Sequence, residues 1–161
     1  MSYRGTARVE GRELVVERIF QAPRALVFQA FSAAEHLKHW WGPRGWEVVR
    51  CTVDFRPGGT WHYGFMCKDP QQADFYGVTS WGKAIYREIV PVEKIVYVDY
   101  FSDEEGNISD EMPAGTTTLL FLEQDGKTRL VTRVRYETEE ALRWVLEMGM
   151  EQGYGETLDR L

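Results

Sequence analysis

Few residues in this chain have types and spacings that could do chemistry. His36 and His39 stand three apart in a stretch with helical spacing, which sets both on one side of a helix. With His62, Cys51 or Cys67 they offer the nitrogen and sulfur ligands that zinc takes, but the spacing matches no compact zinc site. Surface or hydrogen-bonded histidines are the simpler reading, and no metal is expected. Asp54, Glu88 and Asp99 fall in stretches with strand character, where a buried carboxylate would have a raised pKa. Beside His62 or Tyr63 such a group could exchange protons with a bound molecule. Structural ion pairing with Arg50, Arg87 or Arg133 is the plainer expectation. No G-x-S-x-G elbow, phosphate-binding glycine loop or dinucleotide fingerprint occurs, so no catalytic residue and no cofactor are assigned.

The aromatic residues form a larger group. Six Trp, eight Tyr and eight Phe make up 14% of 161 residues. Trp40, Trp41, Trp46, Trp61, Tyr63, Phe65, Tyr76, Trp81, Tyr86, Tyr97 and Trp144 fall on expected sheet and helix positions. Core packing accounts for part of this set. Packing all of these stiff rings solidly in so short a chain is awkward, and the wall of an apolar pocket is the alternative. Trp41, Trp61, Tyr63, Phe65, Tyr86, Tyr97, Trp144 and Met148 are the candidate wall, with His39, His62 and Asp99 as polar anchors. Two adjacent Trp on one helix cannot both point inward, so either Trp40 or Trp41 is expected at a cavity mouth or beneath a loop.

The elements that would position these residues follow from periodicity. Residues 1–12 read as a loose tail or an edge strand. Leu14–Phe20 alternates as a strand, placing Val16, Arg18 and Phe20 opposite Val15, Glu17 and Ile19. Pro23 opens a short helix carrying Leu26, Val27, Ala30 and Phe31. A second short helix runs from Ala34 to about Trp41 and stops at Gly42-Pro43. Strands follow, with Val49, Cys51, Val53 and Phe55 on one face, and then Trp61, Tyr63, Phe65 and Cys67 as the next apolar row. Ser80–Ile89, Lys94–Phe101, Thr116–Glu123 and Arg129–Tyr136 complete the set, and Asp125-Gly126 marks a hairpin. A long final helix is expected from Thr138 to Leu161, with Thr138 as its cap and Glu139 and Glu140 in its first turn. Its Gly149, Gly153 and Gly155 let it lie tightly on the sheet, bend, or leave room for a ligand. This order argues for an α+β fold in one domain over residues 1–161.

Composition bounds the partners. A formal charge of -6 repels phosphate backbones, so no nucleic acid is expected, nor docking on an anionic membrane. No apolar run is long enough for membrane insertion, and no leader is evident. Two cysteines are too few for a disulfide framework, and the chain reads as cytoplasmic.

From Leu14 to Leu161 an ordered set of motifs then coincides with a known family. They are Phe28-x-x-Phe31, Trp40-Trp41-Gly42-Pro43, and Val53-Asp54-Phe55-Arg56-Pro57-Gly58-Gly59-x-Trp61. Tyr86-Arg87-Glu88-Ile89-Val90-Pro91-x-Glu93-Lys94-Ile95-Val96 and Gly153-Tyr154-x-x-x-Leu158-x-x-Leu161 complete the set. In this order the chain resembles the START-like (SRPBCC) superfamily, and within it the group named after the activator of the Hsp90 chaperone's ATPase. The resemblance implies a helix-grip fold, in which a curved antiparallel sheet of about seven strands wraps a long C-terminal helix. It also implies two short helices after the first strand and an elongated pocket. Relatives bind lipids, sterols or polyketides, and a minority are cyclases or other enzymes. Tyr154 stands where the family usually has Trp. The activator that names the group carries an additional N-terminal domain for its partner, and none is expected in the few residues before Leu14. The expectation is therefore a protein that binds a small hydrophobic molecule, with no enzyme activity assigned. A polyketide cyclase or hydrolase and a chaperone ATPase-stimulating module are the alternatives, and a homodimer is compatible with each.

Overall fold

The computed structural model describes residues 2–161, with side chains from residue 6 onward. Eight strands form one antiparallel sheet: β1 (Ser2–Glu10), β2 (Glu13–Phe20), β3 (Trp46–Val53), β4 (Thr60–Cys67), β5 (Thr79–Val90), β6 (Lys94–Phe101), β7 (Gly115–Gln124) and β8 (Lys127–Arg135). Their order across the sheet is β1-β2-β8-β7-β6-β5-β4-β3. Two short helices, α1 (Arg24–Ala30) and α2 (Ala34–Trp40), follow β2, and α3 (Glu139–Glu147) and α4 (Met150–Arg160) end the chain. This is the α+β helix-grip architecture, with one strand more than the seven expected. The additional strand is β1, which pairs along β2 at the sheet edge. Arg8 donates to Glu17 at 2.6 Å across that pairing.

Two-residue alternation sets the inner face of the sheet. Leu14, Val16, Arg18 and Phe20 point inward from β2, as their spacing predicts, and Trp61, Tyr63 and Cys67 do so from β4. In β3 the predicted row slips. Pairing with β4 shifts between Val48 and Arg50, a bulge that inserts one residue. Val48, Cys51 and Val53 therefore pack against the core, while Val49 is exposed. Strict alternation carried back from Val53 cannot anticipate an inserted residue.

At one end of the concave face aromatic rings interlock. Phe28 and Phe31 lie edge-on to Phe121 at 5.2 and 5.6 Å, and Phe31 meets Trp40 at 4.8 Å. The ring series continues through Trp40 to Trp41 at 5.4 Å, then to Trp61 at 4.5 Å. Edge-to-face contact suits rings whose faces are negative and whose edges are positive. Both Trp40 and Trp41 are buried, so two adjacent Trp do both reach the interior. The helix ends at Trp40, and Trp41 has extended backbone (φ -71°, ψ 143°), so the two side chains leave the chain along unrelated directions.

The expected single helix from Thr138 to Leu161 is two helices. Thr138 caps α3 as predicted, its hydroxyl oxygen accepting from the Ala141 amide at 3.0 Å. At Gly149 the backbone turns left-handed (φ 90°), and α4 restarts at Met150. A β-carbon at Gly149 would touch nothing, so glycine is there for its dihedral angle and not for close packing. Gly153 and Gly155 are helical, and their nearest neighbours lie at ordinary contact distance, 3.9 and 3.6 Å from a β-carbon. Helix α4 is held down by Arg18, which donates to Asp159 at 2.6 Å and to the Gly155 carbonyl at 3.3 Å.

These assignments predict opposite outcomes for two alanine substitutions, read by chemical denaturation. Gly149→Ala costs roughly 1–2 kcal/mol, because a left-handed residue gains a β-carbon. Gly153→Ala stabilises by roughly 0.5–1 kcal/mol, because a mid-helix glycine is replaced by a better helix former.

Candidate functional site

The other end of the concave face is hollow. A cavity of about 310 Å³ lies between the strands and the α3–α4 junction, near the lower end of the usual range for ligand pockets. Aromatic rings supply much of its wall, including Trp41, Tyr63, Phe65, Tyr97, Tyr136 and Tyr154. Val134, Val145 and Met150 add aliphatic surface, and Met148 and Gly149 border it at the helix break.

Asp99 is the one charged residue among the described residues lining the cavity. It lies on the inward row of β6 with Tyr97, and two glycines make its surroundings possible. A β-carbon on Gly82 would fall 2.3 Å from the Tyr63 ring. Without one, Tyr63 crosses β5 and donates its hydroxyl hydrogen to Asp99 at 3.0 Å (Oδ1) and 3.1 Å (Oδ2). Gly115 pairs directly with Asp99 in the β6–β7 register. A β-carbon there would lie 3.1 Å from the Tyr136 ring and 2.8 Å from Val134. Each glycine thus gives a tyrosine access to the space around one carboxyl group.

That carboxyl group is half-buried, with its residue lining the cavity. Burial raises its pKa to about 7, against the opposing effect of the Tyr63 hydrogen bond. Burial, followed by the Asp99 charge, raises Tyr63 and Tyr97 well above the ordinary phenol value. Tyr136 rises for the same two reasons, and Tyr86 through burial with smaller effects from Cys51 and Asp99. Tyr154 is raised to about 12 by burial, although its hydrogen bond of 2.8 Å with Thr132 opposes the shift. The tyrosines therefore stay protonated at neutral pH, while Asp99 can exchange its proton there.

The structure brings Trp41, Tyr63, Phe65, Tyr97, Asp99 and Met148 together at the cavity. Trp61 (1% exposed) and Tyr86 (2%) lie behind the wall, supporting Tyr97 at ring distances of 5.8 and 6.2 Å. Trp144 is 39% exposed and meets the cavity only through the edge of Phe101 at 6.3 Å. Neither histidine anchor lies among the lining residues. His62 alternates to the outer face, where it stacks on Trp81 at 5.5 Å and its Nε2 lies 3.1 Å from the Asp103 carbonyl. His39 is exposed in the last turn of α2. Of the carboxylates read as ion-pair partners, Asp54 meets Arg56 at 2.9 Å and Glu88 meets Lys94 at 3.1 Å. Asp99 has Tyr63 in place of an arginine.

Sequence reasoning missed Tyr136, Tyr154, Thr117 and Thr132. A signal existed for the threonines. Alternation through Leu119 and Phe121, and through Leu130 and Val134, puts Thr117 and Thr132 on rows that otherwise hold apolar residues. Trp41 is positioned by a contact that no local pattern reveals. From the end of α4, Arg160 donates to the carbonyls of Trp41, Gly42 and Trp46 at 3.2, 2.9 and 2.8 Å, fixing the turn after α2.

A curved sheet gripping C-terminal helices over an aromatic cavity defines the helix-grip, START-like class of proteins. Within that class the chain belongs to the family of activator of Hsp90 ATPase homolog 1-like proteins, whose pattern matches residues 21–161. The fold is similar to that of a Mycobacterium smegmatis protein solved by crystallography, with 26% identity and a TM-score of 0.82 over 99% of this chain and 94% of that one. A Staphylococcus epidermidis protein solved by NMR is 30% identical, with a TM-score of 0.76 over 96% of this chain and 90% of that one. An Arthrobacter aurescens protein shares the fold at 24% identity and a TM-score of 0.83, over 96% and 87% of the respective chains. No curated protein matches the sequence.

The geometry at Asp99 predicts an unusual pH dependence of stability. Its pKa is higher folded than unfolded, so between about pH 4 and 7 the folded state binds the extra proton and stability falls as pH rises. Asp99→Asn removes that slope, and by pH 8 it is more stable than wild type by on the order of a few kcal/mol at most. Urea denaturation at pH 5, 6, 7 and 8 reads the difference. Glu10 and Glu17, whose pKa values are lowered by hydrogen bonds from Arg8, act below this window.

Proposed function

We propose that this chain binds a small hydrophobic, ring-bearing molecule in the cavity beneath the α3–α4 junction. The observation that carries the reading is the cavity itself. It is an open-mouthed hollow of about 310 Å³, larger than the groove of about 220 Å³ beside α1, and it is lined by rings and carries one charged group. A solvent-open cleft with ring-lined walls leaves apolar surface in contact with water, a cost that a bound apolar molecule removes. An apolar wall with few polar anchors is the usual composition of a small-molecule site. Membership of a fold class whose members commonly enclose hydrophobic ligands supports the same reading.

A second reading, acid–base chemistry of the cyclase or hydrolase type on the bound molecule, is favoured by one observation. Asp99 exchanges its proton near neutral pH and is hydrogen-bonded to Tyr63, the condition a general acid or base requires.

Native mass spectrometry of freshly purified protein, with thermal shift against lipid, sterol and polyketide panels, tests binding. A ligand that raises Tm in wild type is expected to lose its effect in Val145→Phe, because the added ring occupies cavity volume next to α3. That variant remains folded, with a penalty of at most ~1–3 kcal/mol. Equal stabilisation of wild type and variant would place the ligand elsewhere. Release of a chemically altered ligand, seen as a mass change, separates catalysis from simple binding.

A further inference from the structure

The cavity contains a carboxylate without a cation. Among the described lining residues there is no Lys, Arg or His, and no positive group shifts the Asp99 pKa. The groups facing Asp99 are Tyr63 from β4, Tyr86 from β5, Tyr97 from its own strand, and Tyr136 beyond β8, all held protonated. Tyr63 supplies a single hydrogen shared between the two carboxylate oxygens. A carboxylate accepts about four hydrogen bonds, so most of its capacity remains for whatever enters the cavity.

We infer that the cavity selects a small arylalkylamine-like ligand, whose protonated amine docks on Asp99 while its ring packs against the tyrosine and tryptophan wall. The inference rests on the binding function proposed above and adds the charge of the ligand. Three features of the site support it.

A cation gains from both components of the site, by pairing with the carboxylate and by lying against electron-rich ring faces. An anionic ligand such as a fatty acid would set a second carboxylate beside Asp99, and the cation facing the wall, Arg18 behind Tyr154, is already engaged by Asp159 and the Gly155 carbonyl. Volume favours a compact molecule. A cavity of about 150 Å³ holds benzene, so about 310 Å³ suits a ring with a short amine-bearing chain. The net charge also favours a cation: a chain of charge -6 attracts positively charged molecules and repels anions.

Three probes of one shape test the inference by calorimetry or ligand-detected NMR: phenethylamine, 2-phenylethanol and 3-phenylpropionate. At pH 8 the amine is expected to bind at least tenfold more tightly than the alcohol, and the carboxylate more weakly than either. Asp99 must be ionised to pair with the amine, which stays protonated over the range used. Amine affinity therefore falls about tenfold between pH 8 and pH 6, as Asp99 takes up its proton near pH 7. Asp99→Asn abolishes both the preference for the amine and its pH dependence. Tyr63→Phe keeps the carboxylate and so retains the preference at pH 9, with its pH dependence moved upward because the lost hydrogen bond had lowered the Asp99 pKa. Alcohol or carboxylate binding as tight as that of the amine, or an undiminished preference in Asp99→Asn, overturns the inference and leaves the binding function standing. Failure of all three probes to bind overturns both.

Discussion

A carboxylate set in an apolar hollow must be hydrogen-bonded, protonated or paired, and this requirement organises the open half of the protein. Asp99 projects from β6 into a space walled by rings, and Tyr63 reaches it only because Gly82 has no side chain to block the crossing. Gly115, directly opposite Asp99 in the sheet, admits Tyr136 in the same way. An alanine at either glycine would be a small change by composition and a large one by geometry. The polar centre of the cavity therefore depends on two absent β-carbons as much as on the residues that line it.

The two ends of the concave face serve different purposes. At the α1–α2 end, Phe28, Phe31, Phe121 and Trp40 interlock and contribute the close contacts expected of a core. At the α3–α4 end the helical cover breaks at Gly149, and the cavity lies beneath the break. Trp41 connects the two, touching Trp40 on one side and Trp61 and Tyr63 on the other. Arg160 fastens the turn after Trp41 to the last helix, so the wall of the cavity is positioned by the element that covers it. Packing at the closed end thus supports a rigid wall at the open one, as preorganised binding requires.

Much of this fold was legible in the sequence because alternation is a strong signal when one sheet face is buried. The row through Trp61, Tyr63 and Cys67 could be read directly, whereas Asp99 could be placed on a strand but not on a face. What failed, failed for identifiable reasons. The β3 row slipped at a bulge, which inserts a residue without any local mark in composition. The C-terminal helix was read as continuous because a glycine has the same identity whether its backbone is right- or left-handed. At the site, Asp99 lies in the cavity lining, whereas His62 lies outside it. His62 alternates with Trp61 and Tyr63, and residues adjacent in a strand point to opposite faces. Tyr136 and Tyr154 were missed because their approach to the cavity depends on Gly115 and on the restart of α4, both tertiary features.

Family membership accounts for the scaffold, and the particular chemistry lies in what this chain puts inside it. A direct measurement of that chemistry is the titration of the Asp99 carboxyl carbon by NMR in the unliganded protein. An apparent pKa near 7, rising further in Tyr63→Phe as the hydrogen bond is lost, is the predicted result. Titration near the ordinary aspartate value of about 4, with no response to Tyr63→Phe, would show a solvated carboxylate and contradict the account of the cavity given above.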